Sequence, residues 1–198
     1  MEKLLIYIKH RLHFIWKLIE SLNDYLFYIL YSKRLKVNTR EVLGNVSNGT
    51  FIFKEVNFEY ANQIYELINS QDEIDLKYFK PHGFDLESIK KQFSKKAFLM
   101  MGVFSEEKLV GYFFLRFFAN RKCFVGRLID KDYRGKGIGN VMNTILYRIS
   151  WNMGFRCLST ISKDNKAVVS AHKKNQSMIV LKELSNNYLL VEFVEKEN

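Results

Sequence analysis

Hydrophobic positions along the chain change rhythm near residue 50. Before it, Leu4, Ile8, Leu12, Ile15, Ile19, Leu22, Leu26 and Ile29 recur at steps of three and four, the period of one helical face. The pattern predicts a helical segment from Met1 to about Leu35, divisible in two at Ser21 and Asn23-Asp24. Lys9, Arg11 and Lys17 interrupt its apolar run, which argues against a membrane span or a secretory signal. Val37–Gly49 is polar and rich in Asn, the composition of a linker.

Beyond the linker, short apolar runs alternate with helical patterns. Thr50–Val56, Ala97–Phe104, Lys108–Phe118, Cys123–Ile129, Phe155–Ile161, Met178–Leu184 and Tyr188–Val194 read as strands. Ser105-Glu106-Glu107, Ala119–Lys122 and Ser185-Asn186-Asn187 are the turns that join them. Tyr60–Ser70, Leu86–Ser94, Asn140–Asn152 and Asn165–Lys174 read as helices. Asp85 is an N-cap for the second of these, and Gly154 ends the third. Asp72–Asp85 is a loop holding the only proline, Pro81.

Composition narrows the class. A length of 198 residues with 47% hydrophobic and 15% aromatic content supports one substantial core, with room for an appendage. Cys123 and Cys157 fall in apolar strand-like runs and read as buried thiols of a reducing, cytoplasmic compartment. They form no metal-ligand cluster, and His10, His13, His82 and His172 lack ligand spacing, so no metal is expected. The net charge is +10, and residues 1–40 carry eight Lys or Arg against three acids. No zinc-finger, RNA-binding or basic-zipper pattern accompanies that charge, so nucleic acid is not the expected partner. The basic helical segment has two readings. Residues 1–35 can lie on an anionic membrane surface at the inner face, or they can pack on the rest of the chain or in a homodimer.

The densest chemistry is Asp130-Lys131-Asp132-Tyr133-Arg134-Gly135-Lys136-Gly137-Ile138-Gly139-Asn140. Glycines at a strand-to-helix turn leave backbone N–H groups bare, and a helix start attracts anions. Arg134 and Lys136 add charge suited to phosphate. A P-loop would need Gly-Lys followed by Ser or Thr, and a dinucleotide fingerprint would need glycine where Asn140 stands. Neither fits. The run Arg134–Gly139, behind a strand and a Tyr and ahead of a helix, instead resembles the acetyl-CoA loop of the GNAT superfamily of N-acetyltransferases, with Lys131 where a proline is usual.

The order of elements after residue 50 is similar to the whole GNAT fold. The resemblance implies an α/β (α+β) class: a mixed, mostly antiparallel sheet with a splayed parallel strand pair, flanked by helices, plus an N-terminal helical extension. Residues 1–45 would be the extension and linker, and 46–198 the acetyltransferase domain. The resemblance assigns CoA binding to Arg134, Gly135, Lys136, Gly137, Ile138 and Gly139, main-chain contacts to Leu128 and Ile129, and a further contact to Asn165. The family's thiolate-protonating Tyr falls at His172, which shares a helix face with Asn165. Its usual Glu base has no counterpart in Cys123–Ile129. His82, in Lys80-Pro81-His82-Gly83-Phe84, lies in the loop expected to line the acceptor pocket; a water chain is the alternative base. The implied function is acetyl transfer from acetyl-CoA to an amine, and the basic balance favours an anionic amino sugar of surface-glycan assembly. Protein or peptide amines, a non-catalytic CoA-binding module and a basic nucleic-acid or membrane adaptor are the other readings.

Overall fold

A computed structural model describes residues 13–46, 49–165, 168 and 177–195. Seven strands form one sheet: β1 (Ile52–Glu55), β2 (Phe98–Ser105), β3 (Lys108–Phe118), β4 (Lys122–Ile129), β5 (Arg156–Ser162), β6 (Met178–Leu184) and β7 (Tyr188–Phe193). Their spatial order is β1-β2-β3-β4-β5-β7-β6. Every neighbouring pair is antiparallel except β4 and β5. That pair is parallel because a helix, Ile138–Asn152, must cross over between them. The fold is the mixed, mostly antiparallel class expected from the sequence.

Helices cover both faces of the sheet. On one face lie α1 (His13–Gly44) and α5 (Ile138–Asn152), over a core that includes Phe113, Leu115, Phe117, Val125, Met142 and Ile145. On the other lie α2 (Ala61–Asn69) and α4 (Leu86–Gln92), over Phe98, Met100, Tyr112, Phe114 and Leu128. The one-turn α3 (Glu73–Leu76) lies in the loop between them. From Tyr112 to Leu115 the side chains of β3 alternate between the two cores, the period-two rule of a strand buried on both faces.

Local signals match the geometry. The Asp85 carboxylate accepts from the Ser88 N–H at 2.8 Å and starts α4. Gly154 ends α5 at φ +72°, a left-handed conformation that glycine adopts without a Cβ clash. Asn186 and Asn187 turn the last hairpin at φ +59° and +62°, where Asn is among the best-tolerated residues.

The described part of the N-terminal helix ends later and is less divided than the pattern suggests. It continues through the Asn-rich stretch expected to be a linker, as far as Gly44. The polar residues there pack inward. Asn38 Nδ2 donates to the Ile149 carbonyl at 2.9 Å, and Val42 joins the core. Nor does the helix break at Asn23-Asp24. Asn23 accepts from the Ala119 N–H at 2.9 Å, and Asp24 from the Ala97 N–H at 2.7 Å. These side chains bond to the sheet instead of competing with their own backbone.

Candidate active site

The glycine run folds as two tight turns. Asp130, buried at the end of β4, accepts from the Asp132 N–H at 3.1 Å and pairs with Lys108 at 3.4 Å. That opens a short 3-10 turn, Lys131–Tyr133. The Tyr133 ring then anchors the loop, with the Lys136 ammonium 4.4 Å from its centroid. Gly135 and Gly137 have φ +76° and +81°, and a Cβ on either would meet open space. Glycine is therefore needed for backbone conformation there, not for room. Gly137 caps α5 without a side-chain hydrogen bond; the Asn140 N–H donates to the Gly137 carbonyl at 3.1 Å, which leaves the Ile138 and Gly139 N–H groups for an incoming anion. Ile138, 1% exposed, fixes the helix start to the core.

Gly139 is different. Its Cβ would lie 2.6 Å from Nη1 of Arg127. The space beneath the helix start is filled by a guanidinium from β4 that the sequence reading did not single out. Burial pulls the Arg127 pKa below its ordinary value, with the Tyr147 hydroxyl opposing.

Arg134 takes a different direction from the one its motif suggests. Nη2 pairs with Asp75 Oδ2 at 2.8 Å and donates to Gln71 Oε1 at 3.2 Å. Nε donates to the Ile129 carbonyl at 3.3 Å. Lys131 reinforces the link through Asp72 at 3.4 Å. The glycine loop is thus tied to the segment around α3.

Below the loop the parallel strands part. β4 and β5 pair only at Lys122–Arg156, Cys123–Cys157 and Phe124–Leu158. The Ser159 hydroxyl donates to the Val125 carbonyl at 3.1 Å and closes the base of the fork. Beyond it, Gly126–Ile129 has no ladder partner on the β5 side. Both cysteines sit buried at that base, and burial pushes the Cys157 thiol up to about 12.

A cavity of about 750 Å³ runs from the glycine loop through this fork. Leu128, Ile129, Arg134, Gly135, Gly137, Gly139 and Asn165 line it, so the structure gathers most of the expected CoA-binding positions. Lys136 and Ile138 are not among the lining side chains. The Asn165 side chain accepts from the Val168 N–H at 3.1 Å. His172 lies outside the described residues.

At its other end the cavity meets Tyr78, Phe79, Lys80, Pro81 and Phe114. Phe114 stacks on Phe98 at 5.2 Å. Gly126 opposes Phe114 across the β3–β4 ladder, and its Cβ would come within 2.7 Å of that ring. Asp75, the one lining carboxylate among the described residues, is paired with Arg134. His82 stands behind this wall and is not among the lining residues. Its Nδ1 lies 2.7 Å from the Gly83 carbonyl, which can only accept, so Nδ1 carries the proton. Nε2 then accepts from the Tyr112 hydroxyl at 3.0 Å. Burial lowers the His82 pKa, with the Gly83 carbonyl opposing, and raises that of Tyr112 well above its ordinary value. His82 is a neutral imidazole with both nitrogens engaged.

Among the described residues, no group of three or more His, Cys, Asp or Glu could hold a metal ion. No described helix is long and apolar enough to cross a membrane.

These features fit a CoA-type donor: bare helix-start N–H groups, two left-handed glycines facing open space and an unpaired strand edge in one cavity. Comparison with known proteins agrees. A PaiA N-acetyltransferase from Thermoplasma acidophilum, solved in complex with coenzyme A, is 16% identical with a TM-score of 0.62, covering 73% of this chain and 98% of its own. An acetyltransferase of Salmonella typhimurium that modifies the N-terminal serine of ribosomal protein L7/L12 is 12% identical with a TM-score of 0.58, covering 75% and 97%. Ard1 from Thermoplasma volcanium is 12% identical with a TM-score of 0.55, covering 74% and 99%. No curated protein sequence matches the chain. The model of the acetyltransferase (GNAT) family matches residues 61–177, more than half of the chain, and the chain belongs to that family.

Proposed function

We propose that the chain transfers an acetyl group from acetyl-CoA to an amine carried by a small anionic acceptor, with a phosphorylated amino sugar as the favoured class. The observation that carries this is the continuous cavity, with glycine-loop N–H groups at one end and an aromatic wall with Lys80 at the other. Aromatic faces suit the C–H surface of a sugar ring. The cations and the lack of a free carboxylate along the described lining suit an acceptor that carries phosphate. They disfavour a polyamine.

Acetyl-CoA supplies the acyl group. Within this reading, loop N–H groups hold its pyrophosphate, and the free edge of Leu128 and Ile129 bonds its pantetheine arm. The Tyr78–Pro81 segment orients the amine. The Asp75 carboxylate is occupied by Arg134, so the amine's proton leaves through water or to His82. His82 can take it only when Tyr112 releases Nε2. His172 is the proposed acid for the departing thiolate, and loss of turnover in His172→Ala tests it. Thiol release from acetyl-CoA, measured across amino sugars, their phosphates, peptides and polyamines, tests the acceptor class. Turnover confined to peptides would replace this reading with N-terminal acetylation, the activity for which the Salmonella neighbour is described.

The outward side of α1 supports a peripheral contact with an anionic membrane surface. Phe14, Leu18, Leu22, Tyr25 and Ile29 are exposed along it, followed by Lys33, Lys36 and Arg40. Two of the helix's acids are turned to the sheet: Glu20 pairs with Arg116 at 2.8 Å, and Asp24 bonds to Ala97, while Glu41 is exposed near the helix end. An outward face that is apolar along residues 14–29 and mostly basic along 33–40 is the pattern of a helix lying on anionic lipid. Flotation with anionic vesicles tests this. Equal recovery of wild type and a Leu18→Glu/Leu22→Glu variant, with a dimer in solution, would assign the face to a homodimer.

A further inference from the structure

Three cations approach the glycine loop: Arg134, Lys136 and Arg127. The motif suggests Arg134 and Lys136 as the phosphate ligands. Yet Arg134 is held by Asp75, Gln71 and the Ile129 carbonyl, and Lys136 lies on the Tyr133 ring. Lys136 is exposed, whereas Arg127 is half-buried with neither a carboxylate nor a hydrogen-bond acceptor among the described residues, facing the Tyr147 hydroxyl.

Its setting makes that costly. Arg127 lies on the α5 face of β4, opposite the fully buried Phe113 in the β3 ladder. Val125 and Leu146 line the same cavity. A cation set among apolar groups without a partner is destabilising. The other half-buried arginine among the described residues, Arg116, is matched by Glu20. The site nevertheless makes room for it. Gly139 is not in a left-handed conformation, and what its missing Cβ spares is Nη1 of Arg127. The guanidinium thus stands directly under the first turn of α5, where the uncapped N–H groups open into the cavity.

Resting on the CoA-dependent reading above, we infer that Arg127 is the guanidinium that binds the donor's pyrophosphate from the sheet side. The loop N–H groups close on the same anion from the helix side. Arg134 is a positioning residue that ties the loop to the acceptor segment. An unpaired cation left in place without ligand is the arrangement expected of a preorganised anion site, where stability is traded for binding. A carboxylate on an acyl chain would offer the same chemistry, but Nη1 lies beside Gly139 at the helix start and not toward the aromatic end.

Calorimetric titration of the full chain with CoA and with pantetheine, which lacks the pyrophosphate, tests this. Arg127→Gln and Arg127→Met are expected to lower CoA affinity by about 10- to 100-fold, the range of a charge-assisted contact. Pantetheine affinity should stay unchanged, and Arg127→Lys should recover part of the loss. Without ligand, both variants should melt at or above the wild-type temperature, while the upward shift given by CoA shrinks. Arg134→Gln should change CoA affinity less than Arg127→Gln and should raise the KM for the amine. CoA affinity unaltered in both Arg127 variants would overturn the inference, as would equal loss of CoA and pantetheine binding or a lower melting point without ligand. Absence of CoA binding by the wild type would instead overturn the donor reading itself.

Discussion

The two ends of the cavity are built in opposite ways. The proposed donor end is mainly backbone, with the Arg127 guanidinium beneath it: left-handed glycines, uncapped N–H groups and a free strand edge, all within Leu128–Gly139. The proposed acceptor end is side chain: Tyr78, Phe79 and Pro81 from one loop and Phe114 from β3, brought together only by the fold. A backbone site recognises what every substrate of the family shares, and its geometry is set by a short run of residues. A side-chain site recognises what distinguishes one acceptor from another, and its parts can change one by one. The Arg134–Asp75 pair, with Lys131–Asp72 beside it, is the direct link between the two.

That contrast can be broken by substitutions that should affect one end alone. The largest effect is expected from Gly137→Val. A β-branched residue at φ +81° is strained by about 1–3 kcal/mol. Losing two backbone donors worth about 1.5 kcal/mol each would lower CoA affinity by about two orders of magnitude. The KM for the amine, measured at saturating donor, should move far less.

Gly126→Val should do the reverse. Its Cβ would meet the Phe114 ring at 2.7 Å, and overpacking of this kind costs about 1–3 kcal/mol. A lower melting temperature and a raised amine KM are expected, with CoA affinity unchanged. A parallel loss of CoA binding would show that the two ends are not separable.

Lys80→Ala sharpens the acceptor chemistry. Lys80 is exposed, so its attraction for an anion is screened. The KM of a phosphorylated amine should rise by about 2- to 5-fold, the scale of an exposed ion pair, while that of the uncharged analogue stays put. Equal changes for both would remove phosphate from the proposal.

The smallest effect is a pH dependence at His82. Burial lowers its pKa in the folded protein, so the unfolded chain takes up that proton first as pH falls. The stability contributed by neutral His82 is complete above the ordinary value of about 6.5 and is lost as pH falls through the lowered folded value. In thermal melts, wild type should therefore lose stability on acidification more steeply than His82→Asn. Equal slopes would contradict the buried, neutral imidazole.

Much of this was legible in the sequence, and the reasons are physical. The strands and the loop carry local signals: alternating apolar residues, Asp85 as a cap, Gly154 as a stop, and the glycines of Arg134–Gly139. The helix through Val37–Gly44 was hidden because Asn38 and Thr39 look like linker residues until Ile149 and the core are placed against them. Arg127 was hidden for a similar reason. A lone Arg in a strand reads as surface, and only the α5 crossover brings Gly139 over it. His82 stood out by its Pro and Gly neighbours, but its place behind the cavity wall is set by Tyr112, 30 residues away on β3.

The most direct test of a backbone-built donor end joined to a side-chain-built acceptor end is calorimetric titration of CoA into wild type, Gly137→Val and Tyr78→Ala. The expected result is one CoA per chain for wild type and Tyr78→Ala with the same affinity, and binding abolished or greatly weakened in Gly137→Val. Equal binding by Gly137→Val, or weakening by Tyr78→Ala as large as that by Gly137→Val, would contradict it.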